Sequence, residues 1–429
     1  MTNSDSHPSL ATARQRQTCR LCHSRDLELV LPLSPTPVAE KYLDHPANAD
    51  QVPVYPLDLF MCRRCGHVQL LHIIDPEFLY RDFNYRSAGT PALVRHFDET
   101  AEMLTSHYHF SGSPLVVDIG SNDGSLLRCF QSRGFRVLGV DPAREIAAEA
   151  SAAGILTLPE FLTPCVVEQI SKEHGPASIV CAFNVFAHTD DLEGMTACIR
   201  DLLAPDGIFV FECSYLGDIL EKMLLGTIFH EHLSHHSLTP LASFLLRLGL
   251  ELVDVRRNAI QGGSIIGIAK KIGGAHHEFP AVREMLTQEK LAGLATPDTV
   301  RRFGHSLASA AARLSAFTQQ QQSNNRRFWG FGAARSGTTL IAQLGLGKII
   351  ERIVDDNPAK QGKFTPLHAI PVVPTPLLYK EMPDFTLILA WIHSDTIIAA
   401  HKAYLQAGGK FITCFPEPKI IGNDGAILL

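Results

Sequence analysis

The sequence predicts an α/β protein that consists of a small cysteine-rich module and two Rossmann-like units. Two C-x-x-C pairs stand near the N-terminus. From residue 115 the sequence shows the order strand, Gly-rich turn, helix, strand and acidic residue, and a similar pattern begins near residue 325. A chain of 429 residues is also too long for one typical core. We expect four segments: a disordered tail (1–17), the cysteine-rich module (18–75), a first Rossmann-like unit with a helical linker (76–322) and a second Rossmann-like unit (323–429).

The composition argues against several classes of protein. The formal net charge is −6, whereas a general nucleic-acid binder presents a basic face, so we expect no nucleic-acid partner. Apolar runs of about 18 residues, which a membrane span requires, do not occur in the sequence. The segment Met1–Gln17 is polar and lacks the apolar stretch of a signal peptide. We therefore expect a disordered tail, a cytoplasmic protein without a membrane partner, and a monomer.

The four paired cysteines predict a metal site in the N-terminal module. Cys19 and Cys22 form the first C-x-x-C pair, and Cys62 and Cys65 form the second. Each pair can close a tight turn around one ion, and four thiolates complete the tetrahedral geometry that Zn²⁺ prefers. No open ligand position is evident, so we interpret the zinc as structural, in a segment that needs such a crosslink to fold. Two disulfides or a redox-active pair are the alternatives.

The clearest signal in the chain is a nucleoside-binding pattern. A strand over Leu115–Ile119 precedes the turn Gly120–Ser125 and a helix, and a second strand, Arg136–Val140, ends in Asp141. Glycines let the turn approach a ligand closely, the helix presents free amides, and the acid can bind ribose hydroxyls. A full G-x-G-x-x-G is lacking, which favours S-adenosylmethionine (SAM) over a dinucleotide; an α/β domain without a cofactor is the alternative. The predicted cofactor-binding residues are Asp118, Gly120, Asn122, Gly124, Asp141 and Asn184.

Two further strands of this unit point to its cleft. They are expected at Ala177–Ala182 and Ile208–Glu212. Ligands of open α/β sheets bind at the carboxyl ends of strands, so Asn184, His188 and Glu212 are candidates for the cleft.

The second Rossmann-like unit follows a predicted amphipathic helix. Apolar residues recur at spacings of three and four over residues 290–320, and a glutamine run, Gln319–Gln322, is interpreted as the linker that ends this helix. Strands are then expected at 327–331 and 350–354, the latter followed by Asp355 and Asp356. The unit either contacts a second nucleotide or is an architectural domain that has lost ligand binding.

A cluster of ionisable residues predicts acid–base chemistry. The tetrapeptide Phe229–His232 reads F-H-E-H, and His235 and His236 follow closely. Histidine titrates near neutral pH, and an adjacent glutamate such as Glu231 can orient it or share its proton. Two alternatives remain open: a second metal site that uses His232 with His235 or His236, and surface histidines without function.

Taken together, these motifs resemble the sugar C-methyltransferases that build branched deoxysugars. The resemblance extends from residue 18 to about residue 420 and rests on the paired C-x-x-C module, D-I-G-S-N-D-G, N-V-F-A-H, F-H-E-H, G-G-S and G-F-G-A-A-R-S-G. It implies a zinc module, a class I SAM-methyltransferase domain and a C-terminal Rossmann-like domain. It also implies a substrate, a nucleotide-linked 4-keto-6-deoxyhexose that is typically dTDP-linked, held between the latter two domains and methylated on C3.

The resemblance also implies roles for individual residues. His232 corresponds to the base, Glu231 to the glutamate beside it, and His188 to the histidine of N-V-x-A-H. A tyrosine from the region before the SAM turn enters the site in that family; Tyr85 is the better match and Tyr80 the reserve. One departure is the residue before H-E-H, which is usually tyrosine in the family and is phenylalanine here.

The chemistry that this substrate requires is consistent with such a set of residues. Methylation of carbon needs a carbanion-like nucleophile, which forms when a base removes a proton beside a ketone and hydrogen-bond donors stabilise the enolate oxygen. O- or N-methylation of a sugar nucleotide or related metabolite is one alternative. A non-catalytic protein that binds SAM or a nucleotide sugar is another.

Overall fold

The cysteine-rich segment folds as antiparallel strands, to which a later part of the chain adds one more. In a computed structural model, which describes residues 13–81, 83 and 85–429, three of its strands pair in sequence order, and Ser234–His235 extends this sheet to four strands by pairing with Val68–Leu70. The elements are β1 (Ala13–Gln15), β2 (Leu27–Leu31), β3 (Leu59–Cys62), β4 (Val68–Leu70), β5 (His72–Ile74), α1 (Pro76–Tyr80), α2 (Pro91–His107) and the 3₁₀ turns Pro46–Gln51 and Ser87–Gly89.

The predicted disordered tail is wrong for its last residues. Residues 1–12 lie outside the described part of the chain, but Ala13–Gln15 pair with β5 in an antiparallel ladder. The side chains of Arg14 and Arg16 form ion pairs with Asp190. These partners lie far along the chain, so the polar composition of the segment could not indicate them.

The first Rossmann-like unit contains a seven-stranded sheet with the order β12-β13-β10-β9-β6-β7-β8. Its first five strands in the chain run parallel, and β13 runs antiparallel between β10 and β12. The elements are β6 (Leu115–Ile119), α3 (Ser125–Gln131), β7 (Arg136–Val140), α4 (Arg144–Ala152), β8 (Thr157–Leu158), α5 (Pro164–His174), β9 (Ala177–Phe183), α6 (Leu192–Leu202), β10 (Leu203–Ser214), α7 (Leu216–Glu221), β11 (Ser234–His235), α8 (Leu238–Arg247), β12 (Leu250–Asn258) and β13 (Ser264–Lys271), with 3₁₀ turns at Leu225–Thr227 and Ile260–Gly262.

The register of this sheet places the predicted site residues side by side. Asp118 stands opposite Gly139 on β7 and opposite Cys181 on β9. The strands β6, β7 and β9 therefore end together, and the residues that follow them share one edge of the sheet. The central strands β6 and β9 are almost entirely buried, as expected for parallel strands covered on both faces.

Two helices connect this unit to the C-terminal one. They are α9 (Pro280–Ala292) and α10 (Pro297–Ser323), and the predicted apolar stripe of α10 is buried from Val300 to Leu314 and packs near β2. The glutamine run Gln319–Gln322 forms the last turn of this helix, which ends at Ser323 directly after it. The single helix expected over residues 290–320 is instead divided, since α9 ends at Ala292 and α10 begins at Pro297.

The C-terminal unit contains a second seven-stranded sheet with the order β16-β15-β14-β17-β18-β19-β20. Five strands are parallel, and the last two add antiparallel at one edge. The elements are β14 (Phe328–Phe331), α11 (Arg335–Gln343), β15 (Ile350–Val354), β16 (Val372–Val373), α12 (Pro376–Glu381), β17 (Phe385–Ile388), α13 (Ser394–Ala400), α14 (Lys402–Gln406), β18 (Phe411–Thr413), β19 (Lys419–Gly422) and β20 (Gly425–Leu428), with 3₁₀ turns at Leu346–Lys348 and Trp391–His393. Among the described helices of the whole chain, none has the length and apolar character that crossing a membrane requires.

Candidate active site

The turn after β6 has the geometry of a nucleoside-binding loop. Gly120 adopts φ +69°, and its N–H donates to the carbonyl of Val140 over 2.7 Å. A Cβ at this position would lie 2.3 Å from a methyl carbon of Val185, so only glycine fits. Asn122 and Gly124 also have positive φ angles, of 50° and 76°. The turn therefore presents its backbone closely at the carboxyl edge of the sheet.

Asp141 fixes the shape of this turn. Its carboxylate accepts a hydrogen bond from the N–H of Asn122 and another from the N–H of Ala143, both over 2.8 Å. Burial raises the pKa of Asp141, and the two backbone donors oppose that rise. Each oxygen retains a lone pair, which a ribose hydroxyl could use.

Asp118 is a buried carboxyl group with unused hydrogen-bonding capacity. Its side chain is 3 % exposed, and Oδ1 has no hydrogen-bond partner among the described residues. Burial, together with the nearby Asp141 carboxylate, raises the pKa of Asp118 to about 8. An orphaned acid beside a glycine turn fits a ligand that carries positive charge, as SAM does at its sulfonium and ammonium groups.

The side chains of Asn122 and Asp123 bind protein rather than project into free space. Asn122 donates to the carbonyl of Tyr85 over 2.9 Å and accepts from the N–H of Ser87 over 2.9 Å. Asp123 accepts from the N–H of Ala88 over 2.8 Å. The segment before α2 is therefore held over the glycine turn, and the contribution of Asn122 at this turn comes through its backbone and this clamp.

Asn184 and Glu212 close the same edge of the sheet. Asn184 adopts φ +56°, and its N–H donates to the carbonyl of Glu212 over 2.8 Å. The fully buried Glu212 side chain bonds to His96 over 2.7 Å and to Asn258 over 2.8 Å. Glu212 therefore belongs to a network that ties α2 and β12 to the strand ends.

His232 and His188 lie together although 44 positions separate them in the sequence (232 − 188). Their ring centroids are 5.0 Å apart, with 26° between the ring planes. The Nδ1 of His232 lies 2.6 Å from the carbonyl oxygen of Thr227. A carbonyl can only accept, so Nδ1 carries the proton and the neutral ring keeps a lone pair on Nε2. Burial has the largest effect on the pKa of His232 and lowers it to about 4. The Arg335 cation also lowers this pKa, whereas the hydrogen bond to Thr227 opposes the shift.

The tyrosine that stacks on His188 is Tyr80, which the sequence offers as the reserve for Tyr85. The Tyr80 ring lies parallel to His188, with 3° between the planes and 6.2 Å between the centroids, and its buried hydroxyl has no hydrogen-bond partner among the described residues. Tyr85 is 41 % exposed, and its hydroxyl bonds to Thr90 over 3.0 Å. Of the two tyrosines, the one at the end of α1 is therefore the one that contacts His188.

Glu231 forms an ion pair that joins three parts of the chain. Arg335, the first residue of α11, donates to Glu231 over 3.1 Å and to Glu40 of the cysteine-rich module over 2.9 Å. Lys360 donates to Glu40 over 2.9 Å. Burial raises the pKa of Glu231, and the Arg335 guanidinium opposes that rise. The second carboxylate oxygen of Glu231 has no partner among the described residues, so it is available to a ligand.

The Phe229 ring contacts both His232 and Arg335. Its ring centroid lies 4.0 Å from that of His232, and the Arg335 guanidinium lies 5.6 Å from the Phe229 centroid. Where the resembling family has a tyrosine hydroxyl, this site therefore has an apolar ring packed directly on the imidazole of His232.

The remaining histidines of the cluster are buried, which contradicts the surface alternative. His230, His235 and His236 are each at most 1 % exposed. His230 bonds to the carbonyl of Tyr55 over 3.2 Å, and His236 stacks on His67 at 5.5 Å. Within the described residues, a second group of three or more metal-binding side chains does not occur, so the metal alternative for these histidines finds no support.

The four paired cysteines converge on one point. Their sulfur atoms all lie within 4.8 Å of one another, with 3.7 Å between Cys19 and Cys65 and 3.5 Å between Cys22 and Cys62. Zn–S bonds of about 2.3 Å in a tetrahedron require sulfur separations of roughly 3.8 Å, which these distances match. All four cysteines are free, so the disulfide alternative is not what the structure contains.

The turn after β14 repeats the geometry of the turn after β6. Gly332 donates to the carbonyl of Val354 over 2.7 Å, and Asp355 accepts from the N–H of Ala333 over 2.6 Å. Tyr42 of the cysteine-rich module lines the cavity beside this turn, and Lys360 bonds to the carbonyl of Ala333 over 2.7 Å. The turn therefore has the backbone geometry of a nucleotide-binding loop and borders a cavity.

Comparison with known proteins identifies the relatives of this chain. Three family models match: "Putative zinc binding domain" over residues 19–80, "Methyltransferase domain" over residues 96–255 and "C-methyltransferase C-terminal domain" over residues 259–416. The C-methyltransferase NovU of Streptomyces niveus is 34% identical over 410 residues, which are 95% of this chain and 98% of NovU. The chain belongs to this family of C-methyltransferases.

Solved structures of other methyltransferases match smaller parts of this C-methyltransferase. Mitomycin 7-O-methyltransferase MmcR is 19% identical over 43% of this chain and 55% of that chain, with a TM-score of 0.33. Magnesium protoporphyrin IX methyltransferase ChlM of Synechocystis PCC 6803 with bound SAM is 15% identical over 46% of this chain and 88% of that chain, also with a TM-score of 0.33.

The family membership confirms the predicted fold and the predicted cofactors. The protein is a SAM-dependent C-methyltransferase with an N-terminal zinc-binding module and a second α/β sheet domain at its C-terminus. The four-cysteine cluster fits zinc, and the glycine turn with the orphaned Asp118 fits SAM. Arg335 lies in the G-F-G-A-A-R-S-G motif of the C-methyltransferase and reaches Glu231. The sequence does not indicate this contact, because a lone arginine after a glycine turn carries no signal of where its side chain lies.

Proposed function

We propose that this C-methyltransferase acts on a nucleotide-linked 4-keto-6-deoxy sugar, in the first instance a dTDP-linked one, and methylates C3. The observation that carries the proposal is His232, whose Nδ1–H is committed to the carbonyl of Thr227 so that Nε2 holds an available lone pair. A neutral imidazole with a fixed tautomer is suited to remove a proton from carbon beside a ketone. In O- or N-methylation the same histidine would remove a proton from oxygen or nitrogen, so exchange of the C3 proton is what distinguishes the two reactions.

In this mechanism His232 starts the reaction. Its Nε2 takes the proton from C3, the C3–H electron pair forms the C3–C4 double bond, and the negative charge moves to the oxygen on C4. The low pKa of His232, about 4, keeps the ring neutral at pH 7 and therefore in its basic form. The developing enolate charge then favours the protonated ring, so the two charges stabilise each other in a buried site.

Tyr80 and His188 are the proposed partners of the enolate oxygen. Their rings lie parallel to each other, and the His188 ring also stacks on His232. The buried Tyr80 hydroxyl has no partner among the described residues, so a ligand oxygen would satisfy it. A preorganised donor at the position of developing charge accounts for a large share of catalysis in comparable sites.

Glu231 is proposed to orient the sugar. Arg335 holds one of its carboxylate oxygens, and the other is free to accept from a hydroxyl group. When bound, SAM would supply an electrophilic methyl group to C3, with the methyl–sulfur bond breaking and S-adenosylhomocysteine as the leaving group. Asp118, Gly120, Asn122, Gly124, Asp141 and Asn184 are proposed to hold SAM at the strand ends.

The test is NMR of dTDP-4-keto-6-deoxyglucose in D₂O with purified, zinc-loaded protein. Without SAM, we expect the C3 proton signal to disappear by exchange, and with SAM we expect a new methyl group on that carbon. His232→Gln should abolish both. His230→Gln is the matched control, because His230 lies in the same tetrapeptide but bonds to Tyr55 instead. Exchange that persists in His232→Gln would contradict the assignment of the base, and a methyl group on oxygen or nitrogen would contradict the assignment of the acceptor.

A further inference from the structure

Arg20 is a fully buried arginine in the first cysteine pair of the zinc module. It stands between Cys19 and Cys22 and is 1 % exposed. A guanidinium is buried only where partners compensate for its lost hydration. Here the Nε–H donates to the carboxylate of Asp190 over 3.1 Å, and Nη1 donates to the carbonyl of Leu233 over 3.1 Å, with further bonds to Gln69 and to the carbonyl of Leu70.

Two of these partners lie next to the histidines of the site. Leu233 directly follows His232, and Asp190 stands two residues after His188. The two segments are also joined directly, since the N–H of Ser234 donates to the carbonyl of Ala187 over 3.1 Å. One side chain therefore bonds to both segments at once, beside the backbone link that joins them.

We propose that Arg20 is a positioning residue that transmits the rigidity of the zinc module to the spacing of His188 and His232. The tight turn closed by Cys19 and Cys22, in which the N–H of His23 donates to the carbonyl of Cys19 over 3.0 Å, fixes the base of the arginine. Its rigid planar fork then holds two acceptors in fixed directions, which the rotatable donors of a lysine ammonium on its flexible stem do not impose. The inference rests on the proposed roles of the two histidines. The zinc module is thereby a part of the catalytic framework as well as a folding unit.

Arg14 provides a matched control for charge alone. It forms an ion pair with the same Asp190 carboxylate through a side chain that is 66% exposed. Arg20, in contrast, is buried and also donates to the carbonyl of Leu233. Replacing Arg14 removes one positive charge from Asp190 and leaves the bonds of Arg20 in place. If Arg20 only neutralised Asp190, the two replacements would differ little.

The experiment compares Arg20→Lys, Arg20→Gln and Arg14→Gln in the full-length, zinc-loaded protein. For both Arg20 variants we expect kcat to fall roughly 10- to 100-fold, while the KM for SAM stays within about twofold, because a small misplacement of catalytic groups affects chemistry more than cofactor binding. Bound zinc per chain should equal that of the parent protein. Hydrogen–deuterium exchange should increase in peptides that cover residues 184–192 and 226–236, but not in peptides from the SAM turn. Arg14→Gln should change none of these quantities.

Two results would overturn the proposal. One is Arg20→Lys with parent kcat and parent exchange, which would mean that the charge alone suffices. The other is faster exchange throughout residues 19–74 together with loss of zinc, which would mean that Arg20 only stabilises the module. Deuterium uptake and zinc content need no substrate, so they test the role of Arg20 independently of the proposed sugar. A wrong sugar in the proposed function would show instead as absent C3 proton exchange in the parent protein.

Discussion

The carbonyl oxygen of Thr227 lies 2.6 Å from Nδ1 of His232 and thereby fixes which nitrogen of the ring is basic. Thr227 ends a 3₁₀ turn, and its own hydroxyl bonds to the carbonyl of Leu224 over 2.8 Å. The acceptor is therefore held by backbone structure that a side-chain substitution changes little. Burial of the ring adds the second condition, a pKa of about 4, which keeps the base neutral under ordinary conditions.

The pH dependence of C3 proton exchange should reflect this low pKa. An imidazole with the usual pKa of about 6.5 would lose roughly tenfold of its basic form between pH 7.5 and pH 5.5. His232 titrates well below that range, so the exchange rate measured by NMR should change by less than about twofold over it. A tenfold decline centred near pH 6.5 would show instead that the base is a solvated histidine.

Replacement of Arg335 should impair catalysis more than replacement of Lys360. Arg335→Gln leaves the buried Glu231 without its cation, so the carboxyl group should become protonated and lose its place, and kcat/KM should fall roughly 10- to 100-fold. Lys360→Gln is the control, because Lys360 shares Glu40 but does not contact Glu231; its effect should stay within about threefold. Equal effects of the two variants, measured by steady-state kinetics, would contradict the role assigned to Glu231.

Removing the hydroxyl group of Tyr80 or of Tyr85 should distinguish the roles of the two tyrosines. Tyr80→Phe removes the buried hydroxyl beside His188, and we expect kcat to fall by about tenfold or more because an enolate donor is lost. Tyr85→Phe removes a hydroxyl that bonds to Thr90 at the surface, and kcat should remain within about twofold. A larger loss of kcat in Tyr85→Phe than in Tyr80→Phe, measured in the methyl-transfer assay, would identify Tyr85 as the enolate donor instead.

Acid should destabilise the folded protein over the range set by its buried histidines. Burial lowers the pKa values of His230, His232 and His236 to about 4, whereas the unfolded chain protonates them near pH 6.5. Their contribution to stability is thus complete above about pH 6.5 and is lost as the pH falls toward 4, by up to about 1.4 kcal/mol per pH unit for each histidine. Urea unfolding at several pH values should show this slope, and His230→Gln should reduce it. An unchanged slope in that variant would mean that His230 is already protonated in the folded state.

Much of the fold follows from local sequence patterns. The strands that begin at residues 115, 136 and 177 were predictable because each is a short apolar run next to a turn, and the helix stripe from Val300 was predictable because its apolar residues recur every three or four positions. The strand at residues 13–15 was not, because it depends on a partner strand elsewhere in the molecule.

The amino-acid sequence is sufficient to predict the three-part organisation, the four cysteines of the zinc cluster and the glycine turn for SAM, and it singles out F-H-E-H as a candidate site. These depend on spacing along a few residues, where chain geometry leaves little freedom. Only the tertiary structure decided that Tyr80 rather than Tyr85 meets His188, that Arg335 reaches Glu231 across 104 positions, and that Arg20 reaches the carbonyl of Leu233 across 213. Such contacts are set by how separate layers pack, and residue type and local periodicity carry no information about the distance between them.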